Sequence, residues 1–147
     1  MLNFAYGSNM PTERIQRSDP GAIFRGIAEL KNHKLGFTYC SKRWKAGAAD
    51  IVPSEGGVVW GVLWEVSDAG AHKLDKREGV EGRAYRRERV IVLQDDKEIS
   101  CVAYTVVDKK SFIPPSEKYL GLLLQGASEH HLPADYIAEL RSTPTAT

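Results

Sequence analysis

Between Ala22 and Val107 the sequence reads as β-strands in succession with a single helical stretch among them, and that order limits the fold more than any other feature. Ala22 to Lys31 and Lys34 to Cys40 alternate apolar and polar residues, with Asn32-His33 expected to turn between them. Gly47 to Val52 is a strand of small residues that leaves room for another backbone or a ligand. After the turn residues Pro53 to Gly57, Val58 to Val66 is apolar on both faces and reads as a central strand. Ser67-Asp68 caps a helix running over Ala69 to Arg77, and Glu78 to Gly82 is a glycine-rich loop. Tyr85 to Leu93 and Glu98 to Val107 are then paired through a hairpin turn at Gln94 to Lys97. Helices follow only later, at Ser116 to Ala127 and Pro133 to Arg141. With a first strand at the N-terminus the sum is six or seven strands and three or four short helices. A doubly wound parallel fold needs helices between most strands, and they are absent. The expectation is an α+β domain with a mixed, curled sheet forming a small β-barrel, flanked by short helices. It would span residues 1–141, with 142–147 a polar tail that frays.

At 147 residues and 42% hydrophobic, the chain has material for one domain with a sizeable core. A formal charge of +1 provides no overall field for nucleic acid or an anionic membrane. The longest apolar runs are too short to span a bilayer and no secretory leader is visible, so a cytoplasmic location is expected. Cys40 and Cys101 are therefore read as free thiols. His33, His72, His130 and His131 lack metal-ligand spacing and read as solvated or capping residues. Lys42-Arg43-Trp44-Lys45 reads as a solvated loop, and Arg86-Arg87-Glu88-Arg89 as cross-strand ion pairs on an exposed face. No metal or cofactor is expected.

Two local features suggest chemistry. Leu2, Phe4 and Tyr6 alternate as a strand, and Gly7-Ser8-Asn9 then breaks the pattern just before Pro11 and a short helix. Main-chain N–H groups at such a junction cradle a carboxylate or another anionic oxygen, although the tripeptide is equally a plain surface turn. The second is Glu78, where a helix runs into the glycine-rich loop. It is either a carboxylate aimed into a cleft or a solvated residue at a helix end. A nucleophilic Ser8 is disfavoured, because its surroundings are not the Gly-x-Ser-x-Gly elbow.

Phe4-Ala5-Tyr6-Gly7-Ser8-Asn9, Val59-Trp60-Gly61-Val62-Leu63-Trp64 and Leu74-Asp75-Lys76-Arg77-Glu78-Gly79-Val80 together resemble the γ-glutamylcyclotransferase family. Pro114-Pro115-Ser116-Glu117-Lys118-Tyr119 and Leu132-Pro133-Ala134-Asp135-Tyr136 extend the resemblance over nearly the whole chain. It implies a small-barrel α+β fold and an intramolecular acyl transfer. The substrate's α-amine attacks its own γ-glutamyl carbonyl, closing 5-oxoproline and expelling an amino acid or amine. By resemblance Glu78 is the acid–base residue, Tyr6, Gly7, Ser8 and Asn9 hold the glutamyl part, and Tyr85 and Tyr119 line the site. Lys76 and Arg77 are expected to point away from Glu78. The implied partner is a γ-glutamyl amino acid or γ-glutamyl amine, and homodimer formation is compatible with the sequence. A specialised γ-glutamyl antibiotic conjugate, or a non-catalytic binding domain on the same scaffold, are the alternatives.

Overall fold

The computed structural model describes residues 1–147. Five strands, β1 (Leu2–Ala5), β2 (Ile23–Ser41), β3 (Ala46–Glu65), β4 (Tyr85–Gln94) and β5 (Lys97–Val106), close into a barrel in the order β1-β3-β2-β4-β5. The β1–β5 contact that closes the ring is parallel and the other pairings are antiparallel, so the sheet is mixed. Around it lie α1 (Thr12–Gln16), α2 (Asp68–Arg77), α3 (Glu117–Glu129) and α4 (Ala134–Arg141). No helix is long and apolar enough to cross a membrane.

The strand count is five because two expected turns do not reverse the chain. Asn32-His33 and Pro53 to Gly57 face each other across one bulge: Lys31 pairs with Val58 and His33 with Pro53, leaving Ser54 to Gly57 opposite Asn32. Asn32 (φ 60°) and Gly56 (φ 79°) take left-handed conformations there, and the Gly56 N–H donates to Asn32 Oδ1 at 3.1 Å. Turn residues thus bend a long two-stranded ribbon, and four short strands become β2 and β3. The hairpin expected at Gln94 to Lys97 does form. Asp95 and Asp96 both have positive φ, as a two-residue type I′ hairpin turn requires.

β3 organises the barrel. It pairs with β1 on one edge and β2 on the other, and Val59, Val62, Leu63 and Trp64 are all at most 1% exposed, so both its faces are covered as its composition suggested. Each such side chain contributes roughly 1.5–3 kcal/mol of burial. Its small-residue start also behaves as expected. A Cβ on Gly47 would lie 1.8 Å from the Ile113 carbonyl oxygen, and the Gly47 N–H donates to Pro114 O at 3.0 Å. The Pro114-Pro115 loop, and the Tyr119 that follows it, can therefore lie against β3. The C-terminal residues, expected to fray, are tethered to that loop by the Ala146 N–H, which donates to Pro115 O at 2.8 Å.

Candidate active site

The turn that ends β1 is built as its residues suggest. Met10 N–H donates to Gly7 O at 3.2 Å, closing a tight turn, while the Ser8 and Asn9 N–H groups donate to no backbone carbonyl. The turn is fixed from below: Trp64 Nε1–H donates to Asn9 O at 3.1 Å, and the Tyr6 hydroxyl donates to Tyr104 O. Its open face looks into a cleft of about 230 Å³ that continues into an inner pocket of about 40 Å³.

Glu78 forms the opposite wall. It is the C-cap of α2, and the glycine after it has φ +64°, so the helix ends there. The direction of α2 is set by three contacts: the Ser67 hydroxyl accepts from Gly70 N–H at 3.0 Å, Asp19 accepts from Ser67 N–H at 2.7 Å, and Leu74 is fully buried. One turn before Glu78, Asp75 accepts two hydrogen bonds from Arg87 at 2.8 and 2.9 Å and one from the Tyr104 hydroxyl at 2.6 Å. Arg87, expected in a cross-strand pair, thus ties β4 to α2 instead. The result is that Asn9 Nδ2–H donates to Glu78 Oε1 at 3.1 Å, across 69 residues of sequence. Burial raises the Glu78 carboxyl to about 7, against the pull of Arg77, Arg43, the Asn9 hydrogen bond and Arg14.

Two tyrosines complete the inner walls, both anchored on one residue of the small-residue strand. The Tyr85 hydroxyl donates to Ala49 O at 2.7 Å, and the Tyr119 hydroxyl accepts from Ala49 N–H at 2.9 Å. Burial pushes the Tyr6, Tyr85 and Tyr119 phenols up, so they are neutral hydroxyls at physiological pH. All seven residues singled out in the sequence line the cleft or its inner pocket; Ser8, Asn9, Glu78, Tyr85 and Tyr119 line both.

The outer half of the cleft holds what the sequence reading missed. Arg14, Lys42, Arg43, Trp44 and Arg77 line it. Arg77 does not point away: its Nη1 donates to Ser18 Oγ at 3.3 Å beside the cleft, and its charge depresses the Glu78 carboxyl. Lys76, by contrast, is exposed and lines neither cavity. Nor is Lys42 to Lys45 merely a solvated loop. Trp44 packs on Tyr119 with ring centres 5.4 Å apart, and the Arg14 guanidinium lies 5.7 Å from the Trp44 ring centre. No local pattern announces these cations, because they come from α1, the β2–β3 loop and α2. His130 is likewise less solvated than expected, with its ring stacked on Phe24 and its Nε2 2.9 Å from Met10 O.

Fold and site together are a small barrel with a cleft that sets one carboxyl in the neutral range against a strand-end turn with free N–H groups and neutral hydroxyls, a set of groups suited to acid–base chemistry. Residues 58–140 match the AIG2-like family. A bovine (Bos taurus) γ-glutamylcyclotransferase is 40% identical over 96% of this chain and 77% of its own length, and its human counterpart is 38% identical over the same shares. A solved γ-glutamyl cyclotransferase superposes with a TM-score of 0.94 at 36% identity, covering 99% of this chain and 89% of that one. The chain belongs to the γ-glutamylcyclotransferase family.

Proposed function

We propose that this cleft carries out γ-glutamyl cyclotransfer with Glu78 as the proton carrier and the Gly7–Asn9 turn as the holder of the glutamyl group. The observation that carries the assignment is the Asn9–Glu78 hydrogen bond, which sets a carboxyl with a pKa of about 7 directly against the turn. The attacking nitrogen belongs to the substrate, so no protein nucleophile is required. The site's task is to fold the chain of the substrate so that amine and carbonyl meet, an arrangement for which effective molarities reach about 10⁵–10⁸ M.

The substrate enters as an ammonium. Glu78 in its carboxylate form takes one proton, and the freed amine attacks the γ-carbonyl carbon. The resulting oxyanion is within the province of the Ser8 and Asn9 N–H groups and of the Tyr119 hydroxyl, which accepts from Ala49 N–H and so keeps its own proton to donate. Collapse breaks the amide C–N bond as Glu78 returns its proton to the departing nitrogen. The ring nitrogen gives up its second proton, through the regenerated Glu78 carboxylate, to the released amine, leaving 5-oxoproline and an ammonium product. Against a typical α-amine, a base of pKa about 7 faces a transfer uphill by only about 1–2 kcal/mol. An ordinary glutamate would face about 5 kcal/mol.

The substrate class this supports is the γ-glutamyl amino acid. Incubation with γ-glutamyl-alanine is expected to release 5-oxoproline and alanine in equal amounts. Absence of 5-oxoproline across a panel of γ-glutamyl donors would refute the assignment.

A further inference from the structure

The cations of the outer cleft are concentrated beyond anything the near-neutral chain suggests. Outside the cleft mouth a second concavity is lined by Arg14, Arg17, Arg43, Arg77 and Lys118, with one carboxylate, Glu13. That carboxylate is already bound to Arg17 at 2.7 Å. Arg14, Arg43, Arg77 and Lys118 form no ion pair with any protein carboxylate. Four separate elements (α1, the β2–β3 loop, α2 and α3) deliver these side chains to one place.

Arg14 is the centre of this group. It is only 7% exposed, its Nε has no hydrogen-bond partner, and it lines both the cleft and the outer concavity. Burying a guanidinium without an anion is costly, and the Trp44 ring offsets little of that cost. The neighbouring Arg77, Arg17 and Arg43 add repulsion, and burial together with that repulsion lowers the Arg14 pKa. A site that keeps such a group is short of one anion.

The inner pocket, by contrast, contains no cation, and Arg14 does not reach it. The scissile bond must lie at Glu78, which lines both spaces. With the glutamyl part against the Gly7–Asn9 turn, the leaving group extends outward past Arg14. We propose that Arg14, backed by Arg43 and Arg77, is an anion subsite for a carboxylate of the leaving group. The outer cation Lys118, which has no carboxylate partner, extends it to a second carboxylate, so donors are ranked by the negative charge of their leaving group. An acidic amino acid or a short acidic peptide is therefore the preferred leaving group, ahead of alanine, and a neutral or cationic amine is the poorest. This rests on the orientation assigned under the cyclotransfer reading.

Binding can be measured apart from turnover with N-glutaryl amides, which lack the attacking α-amine and cannot cyclise. Titration calorimetry of the whole protein with N-glutaryl-aspartate, N-glutaryl-alanine and N-glutaryl-butylamine is expected to give affinities falling in that order. The step from alanine to butylamine is roughly tenfold or more, the size of a charge-assisted hydrogen bond. Added salt should compress the series. Arg14→Met should abolish the alanine–butylamine step. The exposed Arg43→Gln variant, which leaves the buried wall untouched, should shrink it. Arg14→Lys should restore part of it. Equal affinities for the three amides in wild type, or no binding of any, would overturn the subsite. If the amides bind equally while γ-glutamyl-alanine still yields 5-oxoproline, the cyclotransfer reading stands and the subsite falls. If affinities follow charge but no donor yields 5-oxoproline, the anion subsite stands and the cyclotransfer reading falls.

Discussion

The inner and outer halves of the cleft are made differently and have different chemistry. The inner half is a set of neutral hydroxyls and main-chain groups around one carboxyl, each cross-tied to the barrel: Tyr85 and Tyr119 to Ala49, Tyr6 to Tyr104, Asn9 to Trp64. The outer half is a convergence of arginines with few protein partners. A reaction common to every γ-glutamyl donor needs a fixed inner geometry. Selection among leaving groups needs only charge at a suitable distance, and loops and helix ends supply it. Glu78 sits at the boundary and feels both halves, since desolvation raises its pKa while Arg77 and Arg43 lower it.

The strongest way to break this division is at Glu78. Glu78→Gln should keep the fold and the binding of N-glutaryl-alanine, yet lose turnover by about 10²–10⁴-fold or more, as expected for a lost general acid–base group. Near-normal turnover would move the chemistry elsewhere in the inner half.

The same substitution has a thermodynamic signature. The folded-state pKa of about 7 lies above the reference value of 4.5, so the folded protein holds this proton more tightly than the unfolded chain. Stability from this group is fully present below about pH 4.5 and is lost as pH rises through about 7. Glu78→Gln removes that loss, so denaturant unfolding should find the variant more stable than wild type at pH 8, by about 3 kcal/mol at most. The advantage should vanish near pH 4. An advantage independent of pH would mean the carboxyl is not desolvated.

Smaller effects probe the inner walls. Tyr119→Phe leaves the buried Ala49 N–H without its acceptor and should cost about 1–3 kcal/mol of stability. Turnover should fall roughly tenfold as the wall loosens. Gly7→Ala sharpens the comparison because it acts on space alone. A Cβ there would meet Ala49 Cβ at 3.4 Å and the Tyr119 hydroxyl at 3.5 Å, ordinary distances, and Gly7 does not need a positive φ. Melting temperature should therefore hardly move, while KM for γ-glutamyl-alanine rises several-fold as the methyl occupies substrate space. A variant that unfolds would show Gly7 to be structural.

The inner half was legible in part. Local signals mark its turn, its helix cap and Glu78, but a plain turn and a solvated helix end fitted them as well, and the resemblance to the γ-glutamylcyclotransferase family gave Glu78, Tyr85 and Tyr119 their places. A strand broken by Gly7-Ser8-Asn9, the Ser67 cap and a glutamate followed by Gly79 can each be read within about ten residues. The outer half was not legible. Arg14, Arg43 and Arg77 stand about 30 residues apart with no periodicity to join them, and Arg77 faces the cleft because Ser18, on a distant turn, receives its guanidinium. The barrel shows the same limit. Pro53 to Gly57 carries every mark of a reversing turn, and only pairing on both sides of it, with Asn32 opposite, decides for a bend. Signals that depend on which segments meet are invisible until the β1–β5 contact closes the ring.

The measurement that bears most directly on the account is the pH dependence of kcat/KM for γ-glutamyl-alanine, followed by 5-oxoproline release. Glu78 must be ionised to accept the ammonium proton, so the rate should rise through a midpoint near pH 7, set by the desolvated carboxyl. A rate already level from about pH 5 upward, as an ordinary glutamate would give, would contradict the claim that the fold tunes Glu78 against the turn at the end of β1.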